Sequence, residues 1–288
     1  MPVFSSLELA GEFEDVYRAK VFLVESGEEL YMVMLNPEDS KHKVQLPHLP
    51  EDLPSKSTCV LSGNPTIPGC VALLVEPFAT VIWYIHVGDD HNEWVKHEYD
   101  IGTQVLDPPL DGKDHEKVPI CSIAACQGKF YFNGRLSDIG VLELSPSATP
   151  VFSSLELAGE FEVVYRAKVF LVESGEELYM VMLVYRGFHY DETDYETRVY
   201  RMDFSEQPPR WRKAGDLAGG AFLLAPWYFG ATCSAGELGL CEDCVYAFVP
   251  GDDEVSTCLK MSSVKDGWDD FVDVPAAHRA LWILPTNP

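Results

Sequence analysis

"AKVFLVESGEELYMVML", Ala167–Leu183, consists of two short apolar runs joined by Glu173-Ser-Gly-Glu. Val, Phe, Tyr, Leu and Met crowd both runs, and a glycine punctuates the centre, so the stretch reads as a β-hairpin rather than a helix. The same design recurs twice, as CSIAACQGKFYF from Cys121 and ATCSAGELGLCEDCVYAFV from Ala231. Each is an apolar strand, a glycine turn and a second strand, which carries Tyr131, Tyr179 or Tyr246.

Further short strands are predicted at Val81–Val87, Lys129–Phe132, Arg198–Phe204 and Val245–Val249. Turn clusters separate them: Gly88-Asp-Asp-His, Ser205-Glu-Gln-Pro-Pro and Pro250-Gly-Asp-Asp. No segment sustains a 3.6-residue stripe beyond about two turns. The chain is therefore predicted to be all-β.

A faint period orders these strands. Trp94, Phe152, Trp211 and Trp268 each follow a strand and a turn, at spacings of 58, 59 and 57 residues. The strands ahead of them start at Val81, Val141, Val199 and Val255. A period near 58 with about four strands per unit predicts a β-propeller of four-stranded blades, since a sandwich has no such period. Each marked aromatic is expected to pack between blades. With the Leu35–Pro47 strand the marks give about five units, in a ring that need not be complete.

A second, louder repeat does not share that period. The string starting at Pro2 recurs at Pro150, with 33 of 34 positions identical at an offset of 148. Blades tolerate wide divergence, so identity that includes surface residues points to a recent duplication or an error of gene assembly. The one difference is Asp15 against Val163. In the second copy Phe161, Val163, Tyr165, Ala167, Val169 and Leu171 alternate onto one strand face. Asp15 puts a carboxylate on that face in the first copy, which is costly if buried. The expected organisation is a duplicated segment at 1–34 and a propeller domain at 35–288.

Apolar content of 47% and aromatic content of 12% exclude disorder as the general state. A net charge of −25 disfavours nucleic-acid phosphate and anionic membranes as partners. The N-terminus lacks the basic and apolar regions of a signal peptide. Cys70–Gly88 is interrupted by Glu76-Pro77, and Leu217–Gly236 is broken by four glycines and Pro226, so neither reads as a membrane helix. Eight cysteines without a secretory signal are expected to be reduced thiols in a cytoplasmic or nuclear protein.

The run Ala167–Leu183, then RVYRMDFSEQPPRW from Arg198, AGGAFLLAPW from Ala218 and CSAGELGLCEDCVYAF from Cys233 resemble the plant F-box-associated, KIB-type β-propeller family. LNPEDSKHKVQLP, Leu35–Pro47, resembles its early blade strand, and the likeness extends to Trp282. The family was long catalogued as a domain of unknown function. Members typically carry an N-terminal F-box that docks onto the adaptor subunit of a cullin–RING ubiquitin ligase, while the propeller is thought to bind the protein to be ubiquitinated. Here the F-box position holds the strand-like duplicate. Leu49-Pro-Glu-Asp-Leu53 echoes an F-box opening but runs into Pro54-Ser-Lys-Ser. Binding to the cullin adaptor subunit is therefore not expected.

Chemistry-bearing groups are sparse. Cys241-Glu-Asp-Cys244 has the spacing of a zinc half-site or redox pair, but no second pair stands nearby, so structural thiols are expected. His86, Asp89, Asp90 and His91 could ligate a metal, yet Gly-Asp-Asp is ordinary turn chemistry and recurs at Gly251 without histidine. His189, Asp191, Glu192, Asp194 and Glu196 lack the glycine and terminal glutamate of a calcium loop. No nucleophile elbow, phosphate loop or Ser–His–Asp order stands out. Neither catalytic residues, metal ligands nor a cofactor are assigned. The favoured function is a protein-binding module, with Trp227, Tyr228, Tyr185, Tyr190 and Tyr195 as partner-contact residues. Rival readings are a propeller enzyme with a channel-mouth site, and a non-functional truncated duplicate.

Overall fold

The computed structural model describes residues 58–63, 69–88, 93–110, 112–146, 148–159, 164, 166–186, 195–225, 229–250 and 257–274. It also describes the backbone of 20–26, 29–35 and 42–46. The chain divides into two compact units, one mainly of residues up to Cys121 and the other of Ser122–Leu142 with Phe152–Leu284.

In the first unit, β1 (Lys20–Ser26), β2 (Glu29–Leu35) and β3 (His42–Leu46) form a three-stranded antiparallel sheet. A four-stranded sheet follows from β4 (Thr58–Leu61), β5 (Val71–Val75), β6 (Val81–His86) and β7 (Val95–Glu98). β5 is buried along its whole length, as is Ile82–Ile85 of β6. β8 (Thr103–Leu110) and β9 (Lys113–Lys117) make a separate ribbon, β9 being exposed throughout. Ahead of the ribbon, the Tyr99 hydroxyl donates to the Ala79 carbonyl at 3.1 Å and accepts from the Ile120 N–H at 2.7 Å. Burial pushes this phenol up to about 12, so it remains a neutral donor.

The second unit stacks three sheets. The first holds β10 (Ile123–Cys126), β11 (Lys129–Phe132), β12 (Asp138–Glu143) and β13 (Val151–Glu156) in that order. The next holds β14 (Ala167–Ser174), β15 (Glu177–Tyr185), β16 (Tyr195–Asp203) and β17 (Arg210–Lys213). Both open on two-residue hairpins whose turn residues have positive φ: Gln127-Gly128, and Gly175-Glu176 at 65° and 63°. Such turns match the right-handed twist of the flanking strands.

The quoted hairpin is apolar at consecutive positions because both its faces are covered. Phe170, Val172, Tyr179, Val181 and Leu183 share one core with Phe222, Leu224 and Val245 of the following sheet. Leu171, Leu178, Met180 and Met182 share another with Ala124, Cys126, Ile139 and Val141 of the preceding sheet. A sheet packed on both faces shows continuous apolar runs instead of alternation.

The third sheet departs from the sequence expectation. It contains β18 (Gly220–Ala225), β19 (Phe229–Ser234), the one-turn α1 (Ala235–Leu238), β20 (Cys244–Pro250), β21 (Thr257–Ser263) and β22 (Asp269–Val274). The strand order is β19-β18-β20-β21-β22. ATCSAGELGLCEDCVYAFV is thus not a hairpin. Its two strands flank β18, which pairs antiparallel with β19 and parallel with β20. The reason lies upstream: β18 is buried from Ala221 to Ala225, and seating it centrally satisfies both its backbone edges.

The four period-marking aromatics all stand at the opening of the last strand of a sheet. Trp94 immediately precedes β7, Phe152 lies in β13, Trp211 in β17, and Trp268 immediately precedes β22. Their packing differs. Trp211 joins the core between two sheets, and Phe152 meets Phe132 of its own sheet edge-on at 6.2 Å. Trp268 is 39% exposed. The period is therefore a property of blade layout, and Trp211 packs between sheets as expected.

Candidate functional site

The end of the β15–β16 pair brings together two of the five predicted contact residues. Tyr185 and Tyr195 are directly opposed across the strands, with ring centroids 5.7 Å apart in an edge-on arrangement. Edge-on contact places the positive rim of one ring on the negative face of the other. The Lys168 ammonium stands 5.9 Å from the Tyr195 ring centre. Glu196 accepts from Arg186 Nε at 3.1 Å and from Arg198 at 2.8 Å. The Arg198 bond, then that of Arg186, outweighs partial burial and holds the Glu196 carboxyl below its usual range. Among the described residues, two half-buried tyrosines stand beside three cations and one carboxylate. Tyr190, Trp227 and Tyr228 lie outside the described residues, as do Asp89, Asp90, His91, His189, Asp191, Glu192 and Asp194. The Asp15 and Val163 pair does too.

The other end of the same hairpin borders a groove that sequence reasoning missed. Its volume is about 270 Å³, lined by Gln127, Glu176, Glu177, Met202, Asp203 and Phe204 with Arg201. Most of its charges are already committed. Glu177 accepts from the Tyr179 hydroxyl at 2.9 Å and from Arg201 at 3.3 Å. Asp203 accepts from the Ser205 hydroxyl and N–H and from Arg212 Nε at 2.6 Å, which depress its carboxyl to about 2. The wall is a folded ion-pair network whose members come from strands distant in sequence, so no local motif announces it.

In Cys241-Glu-Asp-Cys244 the structure shifts attention to the middle. Cys244 is buried at the start of β20, and desolvation raises its thiol to about 11; Cys241 is exposed. Asp243 is buried and accepts from the Leu217 and Gly219 N–H groups at 2.7 and 3.0 Å, closing the turn that leads into β18. Tyr246 receives the Cys241 N–H on its hydroxyl oxygen at 2.9 Å. This motif is therefore a clasp for the β18–β20 crossover. His86 keeps both ring nitrogens buried without a hydrogen bond and meets the Tyr84 ring at 6.0 Å. Among the described residues, no three His, Cys, Asp or Glu side chains stand together to hold a metal ion.

Successive four-stranded antiparallel sheets, each closing on a marked aromatic, are the layout of propeller blades. The model of the KIB1-4 beta-propeller family matches residues 11–268. The chain belongs to the KIB1-4 beta-propeller family. That assignment makes β10–β13 and β14–β17 two blades of the KIB1-4 propeller; the match also covers β18–β21 of the five-stranded sheet and ends just before β22. The match opens within the first copy of the duplicated segment, and it takes in the β1–β2 hairpin with its partner β3. No curated protein matches the chain. Among the described residues, no helix is long and apolar enough to cross a membrane.

Proposed function

We propose that this KIB1-4 propeller is a protein-binding module. It contacts its partner through the Tyr185–Tyr195 pair and the flanking Arg186 and Arg198. The carrying observation is that pair itself, two aromatic rings held at fixed geometry among arginines. Tyrosine and arginine are the residues from which interface hot spots are built, because they offer large contact area with a polar handle.

Among the described residues, the shifted groups have the directions expected of structural thiols and paired ions. Burial raises Cys59, Cys126 and Cys244, which keeps them as inert thiols. Hydrogen bonds and arginines lower Glu196 and Asp203, which keeps them as ions. An activated cysteine would be lowered instead, and a carboxyl serving as general acid would be raised. The charge of −25 supports a protein rather than a nucleic acid or anionic membrane as partner. Eight free thiols support residence in the reducing cytoplasm or nucleus. The role nearest to this reading is that of the substrate-recognition domain of an F-box ubiquitin-ligase adaptor, without engagement of the cullin adaptor subunit through residues 1–34.

The test is quantitative affinity capture from plant extract with the wild-type chain, Tyr185→Ala, Tyr195→Ala and Arg198→Ala. The expected result is a protein retained by the wild type and reduced about tenfold by Tyr195→Ala, the equivalent of ~1.4 kcal/mol. Equal retention by all four chains would remove this patch from the interface. Stoichiometric recovery of the cullin adaptor subunit would overturn the expectation for residues 1–34.

A further inference from the structure

The hairpins of the two copies of the duplicated segment occupy the same place in two different sheets. β1–β2 and the Lys168–Leu183 part of β14–β15 are identical in sequence. Their hairpin registers are the same: Lys20 opposes Leu35 as Lys168 opposes Leu183, and Val24 opposes Tyr31 as Val172 opposes Tyr179. Each hairpin is the first pair of strands of its sheet and pairs onward through its second strand. The equivalent positions pair onward in both sheets, Val33 opposing Lys43 of β3 and Val181 opposing Val199 of β16.

We infer that the β1–β2 hairpin of one molecule docks beside β16 of a second copy of this chain, in the place of that copy's β14–β15. The displaced hairpin takes the reciprocal place beside β3, giving a strand-exchanged dimer. Every pairing between the identical residues is remade with the same side chains, so over this stretch the exchange conserves contacts. Domain swapping needs only such degeneracy and an opening of the sheet, and sufficient concentration drives it.

The sequences diverge just beyond the copy, and this end distinguishes the hairpins. β15 continues through Val184 and Tyr185, which pair with Glu196 and Tyr195 of β16. Val184 is buried and Tyr185 packs on Tyr195. After Leu35 the first copy runs into Asn36-Pro37, and proline has no N–H to give the ladder. The Val184–Tyr185 extension is therefore the lock that keeps each chain's own β14–β15 beside its β16.

The test uses the full chain, refolded from denaturant at low and high concentration and sized by light scattering. Wild type is expected to yield a dimer fraction that rises with refolding concentration. Val184→Asn/Tyr185→Pro, which ends the second copy as the first ends, is expected to raise that fraction several-fold. Val33→Asp, which places a carboxylate opposite Val199 in the exchanged form, is expected to reduce it several-fold. A trap that needs no destabilised variant runs alongside. Chains carrying Val33→Cys are co-refolded with chains carrying Val199→Cys and oxidised, and the linkage is mapped by peptide mass. A disulfide joining the two introduced thiols between chains, absent when either variant is oxidised alone, supports the exchange. Absence of that link, or a dimer fraction indifferent to Val33→Asp, overturns it.

Discussion

The indole N–H of Trp211 donates to the backbone carbonyl of Arg135 at 2.8 Å, across 76 residues of sequence. It joins β17 of one blade to the β11–β12 connection of its neighbour, while the ring packs on the core between them. Trp211→Phe keeps most of the apolar contact and deletes the bond. We expect it to cost ~1 kcal/mol, whereas Trp211→Ala costs about 3 kcal/mol through the void it leaves. Chemical denaturation of both variants checks the ratio; equal losses would mean that the hydrogen bond carries the whole effect.

Lys260 is 1% exposed, yet its ammonium pairs with Asp269 at 2.8 Å and stands 4.7 Å from the centre of the Phe271 ring. The carboxylate partner is partly solvated, which tempers the pair. Asp269→Asn strands a buried cation and is expected to destabilise by about 2 kcal/mol, below the ~3–5 kcal/mol of a fully buried broken pair. Lys260→Met removes the charge and is expected to be near neutral. The double variant should then be no worse than Lys260→Met alone, as measured by thermal unfolding.

Within Cys241-Glu-Asp-Cys244, the aspartate and the exposed thiol should respond differently to substitution. Asp243→Ala leaves the buried Leu217 and Gly219 N–H groups unpaired and is expected to destabilise by about 2–3 kcal/mol. Cys241→Ser, at an exposed position, is expected to fall within ~0.5 kcal/mol of wild type. Hydrogen exchange at Leu217 and Gly219 reads the clasp directly, and unchanged protection in Asp243→Ala would refute it.

Acid should loosen the β16–β17 end in a defined window. Asp203 is depressed to about 2 by Ser205 and then Arg212, against an ordinary carboxylate near 4. A lowered folded-state value means that its contribution is complete above about pH 4 and is lost as pH falls through about 2. Arg212→Ala should raise the Asp203 midpoint toward the ordinary range, with Ser205 still holding it partly down. A carboxyl-carbon NMR titration of wild type and variant measures both midpoints.

Much of the layout was legible in residues that act locally. The Gly175 and Gly128 hairpins follow from apolar runs interrupted by turn residues, and the 58-residue spacing of the aromatics matched the repeat of four sheets, although that they open the last strand of each emerged only from the structure. The proposed contact patch was legible only in part, because Tyr185 and Tyr195 become a pair through register alone. The hairpin expected from Ala231 failed because the segment's own pattern cannot reveal that β18 competes for both its strands. The groove beside Glu176 and the Asp243 clasp were missed for the same reason: their members meet across strands and sheets.

By itself, then, the sequence determined the all-β class, the blade period and the identity of the duplicated hairpins, since turn chemistry and apolar patterning act over a few residues. Only the tertiary structure decided which strand lies between which. It put β18 between β19 and β20, covered both faces of β14–β15, and seated the two identical hairpins in equivalent places. Strand order depends on which buried edges can be satisfied together, and that is a property of the assembled sheets.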